Sequence, residues 1–172
     1  MVSWGTSPEQ TIGIDENVPD DAEERPLKYI ALAKGQPIKG VPIDAVFIGS
    51  CTNSRLSDLR KASALLVGKK VANGVKAICV PGSSRVKREA EAEGIDQIFK
   101  DAGFEWRESG CSMCFYAGGE SFDARSRVIS TTNRNFESRQ GPNVKTHIAS
   151  PETAVASAIA GAIADPRELA DG

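Results

Sequence analysis

The chain has 172 residues, 40% of them hydrophobic and 26% charged, with a formal net charge of -2 and a pI near 5.5. That length accommodates one well-buried domain of ordinary globular composition, and the near-balanced charge gives no global electrostatic reason to bind nucleic acid or anionic membrane. No run approaches the roughly 18–20 apolar residues needed to cross a bilayer, and the first residues lack a charged-then-apolar leader, so a cytoplasmic location is expected.

Residues 1–42 read as an irregular N-terminal arm or linker with little core. Gly5 and Pro8, an acidic stretch over 15–24 that holds Pro19, and then Gly35, Pro37, Gly40 and Pro42 interrupt any period, leaving room for one short helix over 27–34. The compact domain is expected over 43–172. Its first apolar run, Ala45 to Ile48, is ended by Gly49 and followed by helical spacing over 57–67. A second apolar run over 77–80 turns at 81–84 into a charged helical stretch over 85–93, closed by Gly94. A helix over 95–102 passes through Gly103 into a third strand at 104–106, and a fourth strand is expected at 128–130. The last helix opens at Pro151 with Ser150 as N-cap and runs through 164, with Pro166 beyond it.

Strands alternating with helices predict an α/β fold, a three-layer α/β/α arrangement around a mainly parallel sheet of about four strands. Such sheets bind ligands outside the carboxyl ends of their strands. The loops at those ends carry the unusual residues: Cys51 after the first strand, Ser83 after the second, Cys111 and Cys114 after the third, Asn133 and Arg134 after the fourth.

In a reducing compartment, a close Cys-x-x-Cys pair reads as metal-binding or redox, not as part of a disulfide framework. Cys111 and Cys114 can converge on one centre while Cys51 arrives from another strand end. Three thiolates hold an iron–sulfur cluster with one position short of the usual four protein ligands, which leaves room for Lewis-acid chemistry. The same spacing also suits a zinc half-site, a redox pair or two core cysteines. Cys79, between Ile78 and Val80, reads as a small buried hydrophobe. Arg134 and Arg139, with their neighbouring carboxamides, offer planar, bidentate recognition of carboxylates, or else form solvated salt bridges. His147 is the single histidine; with no carboxylate near it in sequence to orient it, it reads as structural or surface. The Lys69–Lys70 and Lys87–Arg88 pairs read as solvated faces.

Gly49-Ser50-Cys51-Thr52-Asn53-Ser54-Arg55, Val80-Pro81-Gly82-Ser83, Gly110-Cys111-Ser112-Met113-Cys114 and Asn133-Arg134-Asn135-Phe136 resemble, in that order, the motifs of the aconitase superfamily. Gly103-Phe104-Glu105-Trp106-Arg107 and Arg139-Gln140-Gly141 are similar to the large-subunit family of the 3-isopropylmalate dehydratases, and the likeness runs from about Trp4 to the C-terminus. The resemblance implies a [4Fe-4S] cluster held by Cys51, Cys111 and Cys114, with Asn133, Arg134 and Arg139 as contacts to a hydroxy-dicarboxylate substrate. It implies a hydro-lyase that interconverts 2-isopropylmalate and 3-isopropylmalate by dehydration and rehydration in leucine biosynthesis. It also implies a proton-abstracting serine on a separate small subunit, and further domains before this one. The chain is therefore expected to be the third domain of such a large subunit, inactive without its partners. Phe115-Tyr116-Ala117-Gly118-Gly119 and Ser138 depart from the family pattern. The alternative readings are a related hydro-lyase of the homoaconitase, aconitase or methylmalate type, and a non-catalytic metal-binding module.

Overall fold

The computed structural model describes residues 1–7, 9–49, 55–108, 126–132, 135, 140 and 143–170, with 169 and 170 described in backbone only. A short antiparallel hairpin, β1 (Val2–Ser3) and β2 (Thr11–Ile12), leads to helix α1 (Glu24–Ile30). Strand β3 (Ala45–Ile48), helix α2 (Leu56–Leu66), strand β4 (Lys76–Cys79), helices α3 (Ser84–Ala92) and α4 (Ile95–Ala102) and strand β5 (Glu105–Trp106) follow. Strands β6 (Arg127–Ser130) and β7 (Lys145–Ile148) and helices α5 (Pro151–Ala160) and α6 (Pro166–Ala170) complete the order. The five strands β3 to β7 form one sheet in the order β5-β4-β3-β6-β7, every neighbouring pair parallel. Helices flank the sheet in an α/β fold of the three-layer α/β/α kind.

The central strands are nearly continuous apolar runs because both of their faces are covered. On one face Val46, Ile48, Ala77, Cys79 and Ile129 join the main core, which α2, α4 and α5 share. On the other, Ala45, Phe47, Ile78 and Val128 join Val80 and Val144 in a smaller buried cluster. Helix α2 buries Leu59, Ala62, Ser63 and Leu66, and α4 buries Ile95, Phe99 and Ala102, the spacing of a single helical face. Helix α5 is buried almost all round and packs against both α2 and β3. Helix α3 buries only Ala90 and lines its outer side with Arg85–Glu89 and Lys87–Glu91 pairs one turn apart.

The sequence reading needs correcting in several places. Residues 1–42 were expected to carry little core, yet Val2, Trp4, Ile12, Leu27, Ile30 and Ile38 all belong to the main core. Their apolar side chains sit in short turns and coil, so no period announces them. The stretch is also tied by its backbone to the far end of the chain, through Gly40 N–H to Ile163 O (2.8 Å) and Ile163 N–H to Val41 O (2.9 Å). The sheet has five strands where about four were expected, because the polar run Lys145–Ile148 forms β7. Val2 adds a bridge to Ala149, so β1 lies against the β7 edge. Helix α1 covers 24–30, not 27–34, and ends at Ala31 in the left-handed conformation. The last helix stops at Ala160, capped by left-handed Gly161, and 166–170 form a separate short helix.

Candidate functional site

The order β5-β4-β3-β6-β7 contains a reversal. From β3 the chain proceeds outward through β4 to β5, then returns to place β6 on the opposite side of β3. The adjacent carboxyl ends of β3 and β6 therefore mark a switch point, the place at which sheets of this kind bind ligands. Gly49 ends β3, and Thr131 and Thr132 end β6.

The two strand ends are stitched together by a side chain. The Thr131 hydroxyl donates to Gly49 O (2.8 Å) and accepts from Gly49 N–H (2.9 Å), while Thr131 N–H donates to Phe47 O (3.1 Å). Glycine is required at 49, since a Cβ there would run into the Phe47 ring. Beside it, Ser130 Oγ donates to Thr132 Oγ1 (3.0 Å) and accepts from Thr132 N–H (3.2 Å). On the β3 side, Arg55 precedes α2 and its N–H donates to Asp58 Oδ2 (3.2 Å), a carboxylate in the first turn of the helix.

Two buried carboxamides hold the next stretch of chain. Asn135 Nδ2 donates toward Ser3 Oγ (3.0 Å), Gly5 O (2.8 Å) and Thr146 O (3.1 Å). Two hydrogens among three acceptors make one of these a shared bond. Asn135 Oδ1 is buried and without a hydrogen-bond partner among the described residues. Gln140 Nε2 reaches Ser130 Oγ (3.4 Å), and Gln140 Oε1 accepts from Thr146 Oγ1 (3.0 Å). Each carboxamide directly follows an arginine in sequence, Arg134 and Arg139.

His147 is wholly buried in β7. Its Nδ1 lies 2.7 Å from Ser3 O and its Nε2 lies 2.8 Å from Arg127 Nη1. A carbonyl only accepts and a guanidinium only donates, so the ring is neutral with its proton on Nδ1. Burial first, then the adjacent Arg127 charge, push its pKa down to about 3, against the opposing pull of the Ser3 carbonyl. Its one lone pair is engaged by Arg127, which makes it a structural residue and not a general base. Cys79 is likewise buried, and desolvation pushes its thiol far above the ordinary range, so it is an inert core residue.

Of the residues singled out from sequence, Cys51, Cys111, Cys114, Asn133, Arg134 and Arg139 lie outside the described residues. Among the described residues no group of three His, Cys, Asp or Glu side chains is arranged to hold a metal ion. The chain flanks of several of them are well defined: Gly49 and Arg55 bracket Cys51, and Thr132 and Asn135 bracket Asn133 and Arg134. Trp106 ends β5, two strands from β3, or about 10 Å at ordinary sheet spacing. Five residues reach at most about 17 Å, so connectivity lets Cys111 meet the β3 end. Ser83 is at the carboxyl end of β4, where it caps α3 by accepting from Val86 N–H (3.1 Å). Thr131 and Ser3 had no assigned role in the sequence reading, and the carboxamides beside the arginines were read with carboxylate recognition, whereas Asn135 and Gln140 bond Ser3, Gly5 and Thr146; these partners are set by strand order and not by local pattern.

A parallel α/β sheet with a switch point in its strand order defines a class of binding and catalytic domains. Residues 1–161 match the model of the aconitase family (aconitate hydratase), and the chain belongs to that family. It is 63% identical over 177 residues to a protein named 3-isopropylmalate dehydratase large subunit from Cupriavidus necator, covering 97% of this chain and 66% of that one. It is 55% identical over 179 residues to 3-isopropylmalate dehydratase large subunit 1 from Bradyrhizobium diazoefficiens, covering 98% of this chain and 38% of that protein. The chain thus spans less than two thirds of the length of either relative. Among the described residues no helix is long and apolar enough to cross a membrane.

Proposed function

We propose that the chain is the cluster-bearing part, the third domain, of a 3-isopropylmalate dehydratase large subunit. In this reading Cys51, Cys111 and Cys114 are the three protein ligands of a [4Fe-4S] cluster. Asn133, Arg134 and Arg139 grip the carboxylates of 2-isopropylmalate and 3-isopropylmalate. When bound, a cluster with one iron free of protein ligands supplies a Lewis acid for the departing hydroxyl. The chain's own residues supply the frame. Arginine forks suit planar carboxylates, and the N-terminal end of α2, just after the Cys51 segment, presents a dipole favourable to an anionic group.

The reading is carried by one observation: the carboxyl ends of β3 and β6 are adjacent and joined through Thr131 and Gly49. The chain flanks of Cys51 and of the Asn133–Arg134 pair therefore start from the same point of the sheet. The donor set also fits a cluster chemically. Three thiols sit on segments that leave strand ends, whereas Cys79, the one cysteine among the described residues, is sealed in the core. The proton-abstracting group, a small-subunit partner and the rest of a longer large subunit complete the proposed enzyme. The name large subunit in the relatives supports a small-subunit partner, and their greater length supports the rest of the large subunit. Leucine biosynthesis and a reducing cytoplasm, where thiolates persist, belong to the same proposal.

The test is anaerobic reconstitution followed by iron and sulfide analysis. Cys51→Ser, Cys111→Ser and Cys114→Ser should each lose the cluster, while Cys79→Ser should retain it. Wild-type iron content in all four variants would dismiss the assignment.

A further inference from the structure

A threonine hydroxyl carries one donor and two acceptor sites. That of Thr131 spends its donor on Gly49 O and one acceptor on Gly49 N–H, so a single side chain takes both polar groups of one residue on the neighbouring strand. The regular β3–β6 pairing ends at Phe47 opposite Ser130. Beyond that pair, the side chain of Thr131 continues the junction that the backbone ladder no longer provides. Thr131 and Phe47 are both wholly buried, Thr131 N–H is held by Phe47 O, and the Phe47 ring excludes any side chain at Gly49. The Gly49 peptide is therefore fixed in position and orientation from two sides. Cys51 follows two residues later, and Asn133 follows Thr131 by the same interval.

We infer that Thr131 is a positioning residue for the start of the Cys51 segment, acting through the paired hydrogen bonds of its hydroxyl to Gly49. This rests on the reading of Cys51 as a cluster ligand. Thr131 acts through Gly49. The γ-methyl has its own part, because branching at Cβ restricts χ1 and keeps the hydroxyl aimed at Gly49.

The test uses the full 172-residue chain, reconstituted anaerobically. It reads two quantities: the rate at which a ferrous chelator strips iron, and the electron paramagnetic resonance spectrum of the reduced cluster. Thr131→Val keeps the shape and removes the hydroxyl. It removes both bonds to Gly49 and should speed iron release about tenfold or more, the scale on which lost hydrogen bonds of ordinary strength act, and should shift the resonance. Thr131→Ser keeps the hydroxyl but frees its rotation, and should fall between, at about threefold. Ser157→Ala removes a different, part-buried hydrogen bond, that from Ala164 N–H to Ser157 Oγ of α5 (3.1 Å), and should leave release and spectrum unchanged.

If Thr131→Val matches wild type while Cys51→Ser lacks the cluster, the positioning role is wrong and the ligand assignment stands. If Cys51→Ser keeps the cluster, the ligand assignment fails and the inference falls with it. An equal effect of Ser157→Ala would reduce the role to general stability and overturn it. Should Thr131→Val not fold, the serine variant decides, and wild-type release there refutes the inference.

Discussion

Mild acid should loosen this chain through His147, and replacing the ring should remove that sensitivity. The imidazole is buried and neutral, with Nδ1–H on Ser3 O and Nε2 facing Arg127 Nη1, and its folded pKa lies at about 3 against an ordinary 6.5. Because the folded value is the lower one, the unfolded chain takes the proton first. The stabilising effect of keeping the ring neutral is complete above about pH 6.5 and declines as the pH falls toward the folded pKa. Each unit below 6.5 costs about 1.4 kcal/mol, which amounts to about 2 kcal/mol at pH 5. Ordinary carboxylates titrate lower still, so the interval from pH 6.5 to 5 isolates the histidine. His147→Gln does not titrate. Urea unfolding followed by circular dichroism should give the wild type a stability that falls across this interval and the variant a nearly flat one, whatever their difference at pH 7.5. Parallel pH profiles would mean that the ring gains its proton inside the fold, and the account of a sealed neutral imidazole would be wrong.

Asn135→Ala should leave the carbonyls of Gly5 and Thr146 without their donor, at about 1–3 kcal/mol for each buried group so stranded. In the proposed assembled enzyme it should raise the substrate KM more than it lowers kcat, measured by steady-state kinetics beside Arg134→Lys. A chain cut to residues 43–172 should fail to show a cooperative thermal transition, because the cut removes Val2, Ile30 and Ile38 from the core. A sharp, wild-type-like melt of that truncation would show that the first forty-two residues are dispensable to the fold.

How much of this was legible depended on where each element finds its partners. Strand β3 and helices α2 and α4 could be read closely, because a strand covered on both faces is a solid apolar run and a one-sided helix repeats its apolar face. Strand β7 could not. Its buried residues Thr146 and His147 are polar, and they are satisfied by Gln140, Asn135 and Ser3, far from any local pattern. The arm was misjudged for a related reason, since its burial comes from backbone pairing with 161–163 and from coil packed on the main core. The ends of β3, β4, β5 and β6 fall where the expected loops were read to begin. What sequence could not supply was the strand order. That β6 and not β5 lies beside β3 is a long-range fact, and it alone brings Thr131 to Gly49.

Ser3 links these observations. Its carbonyl accepts from His147, and its hydroxyl accepts from Ile148 N–H (2.7 Å) and Asn135 Nδ2. One residue of the N-terminal hairpin therefore satisfies the buried imidazole, extends the edge of β7 and helps hold the carboxamide that follows Arg134. Protonating His147 leaves Nε2 as a second donor facing the Arg127 guanidinium, a repulsion that the Ser3 hydrogen bond must withstand. Any displacement of Ser3 reaches Asn135 through a single hydrogen bond. On the other side of the switch point, the Thr131 hydroxyl bonds both polar groups of Gly49, and neither of those bonds passes through Ser3 or His147. Acid should therefore loosen the contacts of Ser3 before the Thr131–Gly49 junction, so that amide hydrogen exchange followed to lower pH shows Ile148 N–H losing protection ahead of Gly49 N–H.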